Sequence, residues 1–157
     1  MATTESTTTL LTEQKISIHM PIHKVFTFIS NMENFKLWFP EVLDIVSKND
    51  LEHGTVGKTY IELVNLPPQG KQKLKIEVKK VEVPKLYVTE SEYQPLLPRM
   101  TITLKQEDES FTYVNWKMES RNNNDDFVSN ILPNFKMIIN NRAVNGLKKL
   151  KEVLESK

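Results

Sequence analysis

Alternating apolar and polar positions predict a strand followed by two short helices near the start of the chain. Residues 15–20 alternate with a period of two, which is typical of a half-buried strand. Pro21 then ends the strand and can begin a helix, because the first helical turn needs no N–H from that residue. Apolar residues recur at helical spacing as far as Ile29, and a second short helix is predicted over residues 32–37.

The middle of the chain predicts a series of hairpins. Segments rich in Pro, Gly, Asp and Asn separate runs of residues in which apolar and charged side chains alternate. One apolar and one polar face are typical of an antiparallel sheet that is covered on a single side. The predicted strands are residues 42–48, 57–64, 71–83, 86–94, 99–107 and 110–120.

The last segment predicts a long amphipathic helix that covers the apolar face of this sheet. Apolar residues recur every three or four positions from Phe127 to Leu154, and lysines and other polar residues occupy the opposite side. Pro133 either begins this helix or kinks it, because proline removes one helical hydrogen bond. Gly146, on the apolar stripe, would let the helix approach the sheet closely.

The first 13 residues have the composition of a disordered tail. They hold six Thr and two Glu, without Lys or Arg, and Leu10-Leu11 is their one apolar pair. A secretory signal or a mitochondrial presequence would need basic residues there. So little apolar surface cannot offset the chain entropy lost on folding. We therefore expect a disordered tail over residues 1–13 and a single domain over residues 14–157.

Composition and motifs exclude several classes of function. The 157 residues include 21 basic and 20 acidic side chains but no Cys, which excludes disulfides, thiolate zinc sites and cysteine nucleophiles. A net charge of +1 with three Arg argues against a nucleic-acid partner. The chain has no Gly-x-Ser-x-Gly motif, no glycine-rich phosphate loop and no pair of histidines on one helical face. We therefore predict no catalytic residue, no metal site and no cofactor, and a cytoplasmic location.

The order of the predicted elements resembles that of the START-like (SRPBCC) superfamily of polyketide cyclases, Bet v 1-type proteins and lipid-transfer domains. The segment from Ile18 to Ile29 resembles that family's strand, proline and "V-F-x-F-I" helix, and residues 34–42 resemble its "W-x-P-x-V" passage. The resemblance covers residues 15–155. It implies an α+β helix-grip fold, in which a curved antiparallel sheet of about seven strands wraps around the C-terminal helix.

The resemblance also implies a cavity for an apolar small molecule between the sheet and that helix. Its inward side chains would be mostly apolar, which is the usual composition of a ligand pocket. The alternative is that the same residues close-pack into a solid core. The candidate ligand-binding residues are Ile61, Leu63, Leu74, Ile76, Met100, Ile102, Leu104, Val114, Trp116, Met118, Phe135, Ile138, Ile139 and Arg142.

Arg142 is a charged residue on the apolar stripe of the last helix, where a lone cation is costly unless it is paired. Its planar guanidinium would suit the carboxylate or phosphate head of an amphipathic ligand. Alternatively, it pairs with a carboxylate of the sheet or extends past the edge of the stripe to solvent. Both interpretations stay open from the sequence.

The order of the turns predicts an apolar rim at one end of the sheet. Alternate turns of an antiparallel meander lie at the same end, so the turns at 66–68, 95–98 and 121–126 should be neighbours. We expect this rim to be the mouth of the pocket, where an apolar ligand or, transiently, a membrane surface would be met. The alternative is that its residues plug the end of the sheet. The predicted mouth residues are Trp38, Phe39, Leu66, Leu96 and Leu97.

The sequence thus predicts binding or transport of a hydrophobic or amphipathic small molecule, such as a lipid, an isoprenoid or a polyketide-like compound. Two alternatives stay open. A polyketide aromatase/cyclase-like enzyme would need Tyr60, Asn115 or Arg142 to face inward and move protons. A partner-binding module, similar to co-chaperones of the same superfamily, would use the row of lysines over residues 71–79 on the outer face of the sheet.

Overall fold

A computed structural model of the chain describes residues 7–66 and 70–157. Seven strands, a short α-helix, a 3-10 helix and a long C-terminal helix follow one another in the predicted order. The elements are β1 (Thr9–Ile18), α1 (Ile22–Ile29), the 3-10 helix (Met32–Leu37), β2 (Val42–Ser47), β3 (Thr59–Leu66), β4 (Gly70–Glu82), β5 (Leu86–Ser91), β6 (Pro98–Gln106), β7 (Thr112–Ser120), a π-helical turn (Phe127–Ile131) and α2 (Leu132–Glu155).

The strands form one antiparallel sheet in the order β1-β7-β6-β5-β4-β3-β2. Each strand from β2 to β7 pairs with the next along the chain, and β1 pairs with β7. The curved sheet holds α2 on its inner face, which confirms the predicted α+β helix-grip architecture.

The N-terminal strand begins earlier than the sequence predicted. Thr9 pairs with Ser120 of β7, and Leu11 is 6% exposed. The side chain of Thr12 donates a hydrogen bond of 2.7 Å to Asn140 Oδ1 on α2. The expected disorder of residues 9–13 is therefore wrong, because pairing with β7 satisfies the backbone of a polar segment that composition alone leaves unsupported. Residues 1–6 of that prediction lie outside the described residues.

The proline and the glycine of α2, Pro133 and Gly146, have distinct roles. Pro133 is the second residue of the helix, so it lies at its beginning and does not kink its middle. Gly146 is buried, and a Cβ atom placed there would lie 3.0 Å from the ring of Phe39. The glycine therefore admits this loop side chain against the helix, where the sequence led us to expect the sheet.

The second half of α2 packs in a solid core. Ala143, Leu147, Leu150 and Leu154 are at most 3% exposed and belong to one buried cluster with Trp116. These four residues belong to the core, whereas the cavity described below lies beside the first half of the helix.

Candidate ligand cavity

A cavity lies between the inner face of the sheet and the first half of α2. The space between its walls is about 860 Å³, which includes space open to solvent. The 3-10 helix and the loop after it, strands β3 to β7 and residues 135–142 of α2 supply the walls.

Eight of the fourteen candidate ligand-binding residues line this cavity. They come from three strands of the sheet, β4, β6 and β7, and from the first half of α2, and most of their side chains are apolar. They are Leu74, Ile76, Met100, Met118, Phe135, Ile138, Ile139 and Arg142.

Four further candidates face inward but belong to the solid part of the core. Ile102, Leu104, Val114 and Trp116 are at most 5% exposed, and none of them lines the cavity. The ring of Phe39 stacks on Trp116 with 5.4 Å between centroids, and Phe39 is itself part of the cavity wall. The side chain of Phe39 therefore separates the cavity from the solid core. For the four residues on the core side, the alternative interpretation, that inward residues close-pack, is correct.

The predicted orientation of Ile61 and Leu63 is wrong. Both lie on the outer face of β3, opposite Lys75 and Lys73 of β4, while Glu62 and its alternate neighbours are buried inside. The physical reason is that β3 carries apolar residues on both faces, so alternation does not reveal which face is covered.

Three of the five predicted mouth residues are buried and do not form an exposed rim. Trp38, Phe39 and Leu96 are 3%, 8% and 2% exposed. Phe39 and Leu96 line the cavity, whereas Leu97 is half-buried and does not. The side chain of Leu66 lies outside the described residues. The expectation of an apolar rim is thus corrected to the alternative, a buried plug.

Contacts between loops explain this burial. The ring of Phe35 packs against Trp38 at 5.1 Å and against Phe39 at 4.8 Å between centroids, so these three aromatic side chains bury one another. The loops at 95–98 and 121–126 are neighbours, as the order of the turns predicted. Asn122 Nδ2 donates a hydrogen bond of 2.8 Å to the carbonyl oxygen of Pro95.

Arg142 pairs with a carboxylate of a loop. Its Nε lies 3.0 Å from Glu41 Oε1, and the two side chains are 14% and 43% exposed. Glu41 follows the 3-10 helix and adopts a left-handed φ of 68°, which is uncommon outside glycine. The pair joins this loop to α2 at the cavity wall. An anionic head group would therefore meet a guanidinium that is already paired with a carboxylate.

Glu62 is a functional candidate that sequence reasoning missed. Its side chain points from β3 into the cavity and is 7% exposed. Burial raises the pKa of its carboxyl to about 7. Its cross-strand partner is Leu74, whose inward face the alternation of β4 did predict. Leu66 of β3 pairs with Gly70 of β4, and counting back from that pair places Glu62 opposite Leu74. The register of this hairpin was therefore the signal that could have revealed the inward carboxyl.

The proton-transfer candidates other than Arg142 do not reach the cavity. Tyr60 is fully buried, and its hydroxyl lies 2.6 Å from His53 Nδ1. Burial, opposed in part by the Met32 backbone, raises the pKa of Tyr60 to about 12. Asn115 lies outside the cavity wall and donates a hydrogen bond of 2.8 Å to Glu13.

Residues 7–66 and 70–157 contain neither a metal-binding cluster nor a membrane-spanning helix. In these ranges no group of three or more His, Cys, Asp or Glu side chains is arranged to hold a metal ion. None of the helices there is long and apolar enough to cross a membrane.

Comparison with known proteins gives matches to solved structures alone. The di-domain ARO/CYC StfQ of the steffimycin biosynthetic pathway superposes with a TM-score of 0.70 at 9% identity, over 92% of this chain and 50% of StfQ. Ara h 8.0201 gives a TM-score of 0.70 at 12% identity, over 93% of this chain and 97% of that one. A START superfamily protein from Mycobacterium smegmatis gives 0.67 at 9% identity, over 92% and 97%.

This chain thus spans half of StfQ and nearly all of the other two proteins. No family model and no curated protein matches the sequence. The likeness at this level of identity concerns the fold. The chain has the START-like helix-grip fold that its sequence resembled.

Proposed function

We propose that this protein binds a hydrophobic or amphipathic small molecule in the cavity between the sheet and the first half of α2. The observation that carries the proposal is a cavity, partly open to solvent, with a largely apolar wall. Burial of apolar ligand surface there would be favourable by about 25 cal/mol per Å² before ordering costs. Met100 and Met118 lie in the wall, and their flexible side chains would adapt it to an irregular ligand.

A binding role requires less of the site than an enzymatic one. An activity like that of an ARO/CYC protein would need a proton donor or acceptor at the ligand. Tyr60 and Asn115 do not line the cavity, and Arg142 is paired with Glu41. An enzymatic role would therefore depend on Glu62, which lines the cavity without a partner among the described residues. The lysine row of the outer face is also partly neutralised, since Lys75 and Lys79 lie within 3.7 Å of carboxylates.

A cytoplasmic location and a transient membrane contact stay predictions.

Two measurements test the proposal. Native mass spectrometry of the purified protein, followed by solvent extraction, should reveal a co-purifying apolar compound. After extraction, the uncharged dye Nile red should bind and gain fluorescence. Protein that carries no compound and does not bind the dye would refute the proposal.

A pair of matched variants locates the binding site. Met118→Trp fills the cavity from β7, whereas Met137→Trp places the same ring on a side chain of α2 that is 68% exposed and outside the cavity wall. We expect Met118→Trp to weaken Nile red binding by about tenfold or more, and Met137→Trp to leave it unchanged. Equal effects of the two variants would contradict the assignment of the cavity.

A further inference from the structure

The cavity wall contains a carboxyl group without a partner. Glu62 faces inward between Ile45 of β2 and Leu74 of β4, and it is 7% exposed. Its carboxyl makes no hydrogen bond and no ion pair with any residue in the described ranges. A buried carboxyl in this state destabilises the protein unless it gains a hydrogen bond. A ligand that donates one would remove that penalty.

The cation of the cavity is already neutralised. The charged side chains in the described wall are Glu41, Glu62 and Arg142, and Arg142 lies 3.0 Å from Glu41. With this pair intact, the net charge of the wall is −1 when Glu62 is ionised and zero when it is protonated. The wall therefore repels an anionic head group or leaves it without a counter-charge, and it offers a free acceptor to a hydrogen-bond donor.

A second polar side chain lies on the same inner surface. Thr89 of β5 is 4% exposed, lines the cavity and makes no side-chain hydrogen bond with the described residues. Its hydroxyl can donate as well as accept. The polar part of the cavity is thus confined to a few positions on a largely apolar wall, and Glu62 is its one unpaired charged group among the described residues.

We propose that the cavity selects an apolar ligand whose head group is a hydrogen-bond donor, an amine or a hydroxyl, that this group binds Glu62, and that anionic amphiphiles are disfavoured. The inference rests on the proposed function, because it names the chemistry of the ligand for the same cavity. Near neutral pH the carboxylate receives an ammonium N–H, and in the protonated acid the carbonyl oxygen receives a hydroxyl.

Three probes with the same alkyl chain test the inference. Dodecylamine, 1-dodecanol and dodecanoate, each below its micelle concentration, are titrated at pH 8 against Nile red bound to the wild-type protein. We expect dodecylamine to bind about tenfold more tightly than dodecanoate or better. Equal affinity for the three probes overturns the inference alone. Failure of Nile red and of all three probes to bind overturns the proposed function.

Three variants show whether Glu62 is responsible. Glu62→Gln should reduce the preference for the amine to about threefold or less, yet keep dodecanol binding, since the amide oxygen still accepts. Glu62→Leu should weaken dodecanol binding as well. Glu41→Gln is the matched control at the other carboxylate, and it should improve dodecanoate binding by freeing Arg142. An unchanged preference for the amine in Glu62→Gln, with the variant folded by circular dichroism, overturns the inference.

Discussion

Replacing Glu62 by Gln should change how the free energy of unfolding depends on pH. Burial raises the pKa of the Glu62 carboxyl from an ordinary 4.5 to about 7. Between these values the folded protein still holds the proton, whereas the unfolded chain has released it. The stability contributed by the neutral carboxyl is therefore lost as pH rises from about 4.5, and the loss is complete above about 7. Gln carries no charge and should show no such loss.

The size of the effect follows from the same two values. A difference of one pH unit in pKa corresponds to about 1.36 kcal/mol, so the change from 4.5 to about 7 destabilises the wild-type protein by about 3 kcal/mol at pH 8. Since domains of this size are stable by about 5–15 kcal/mol, this loss is easily measured. Glu62 is only 7% exposed, so screening of its charge by bulk solvent is small.

Urea unfolding of ligand-free protein at several pH values between 4 and 8 measures the effect. The fluorescence of Trp38 and Trp116 reports unfolding, because both side chains are buried. The stability of Glu62→Gln relative to the wild type should rise by about 3 kcal/mol from pH 4 to pH 8. Carboxylates with lowered pKa, such as Glu33, destabilise both proteins as pH falls and cancel in the difference. A difference that does not change with pH would refute the reasoning.

Two further substitutions test the contacts that shape the interior. Gly146→Ala should lower the melting temperature, because the new methyl group would lie 3.0 Å from the ring of Phe39; a gain of about 1 kcal/mol, as helix propensity alone would give, would contradict this packing. His53→Ala should destabilise the protein by about 1–3 kcal/mol in thermal unfolding, because it removes the side-chain partner of the buried Tyr60 hydroxyl. The same change in a Tyr60→Phe background should cost clearly less, and an equal loss would exclude this coupling.

Alternation along the chain predicted those strands whose outer face is charged. In β4, Lys73 and Lys75 face outward and Leu74 and Ile76 inward, so the period of two shows which face is covered. In β3 an outward Ile61 follows the fully buried Tyr60. The pattern of apolar residues then does not show which face of β3 is buried, and we predicted the wrong face to point inward.

The other main difference between prediction and structure lies in residues 9–13, and it results from pairing with a strand that is distant in sequence. Residues 9–13 are polar and Thr-rich, which favoured disorder from composition alone. Threonine also fits strands well, and the free edge of β7 offers this segment a complete set of hydrogen-bond partners. Composition of a short segment does not contain that information, because it depends on where the sheet ends.

The boundary between cavity and solid core depends on a loop. Phe39 enters the interior between α2 and Trp116, and Gly146 supplies the space that its ring needs. The sequence identifies an aromatic side chain before Pro40 and a glycine on the helix. It does not show that the two meet, since their contact joins residues more than a hundred positions apart. Inward residues therefore could not be divided into cavity wall and core in advance.

The charges of the cavity show which group retains a free energy cost that a ligand could remove. Sequence reasoning selected Arg142, but its cost is offset by Glu41 at 3.0 Å. Glu62 has no such partner among the described residues, and its pKa of about 7 corresponds to a cost of about 3 kcal/mol when it is ionised. A donor head group that removed this cost in full would tighten binding by about a hundredfold. The preference for an amine expected in the competition experiment requires less than that, so the unpaired carboxyl is sufficient to account for it.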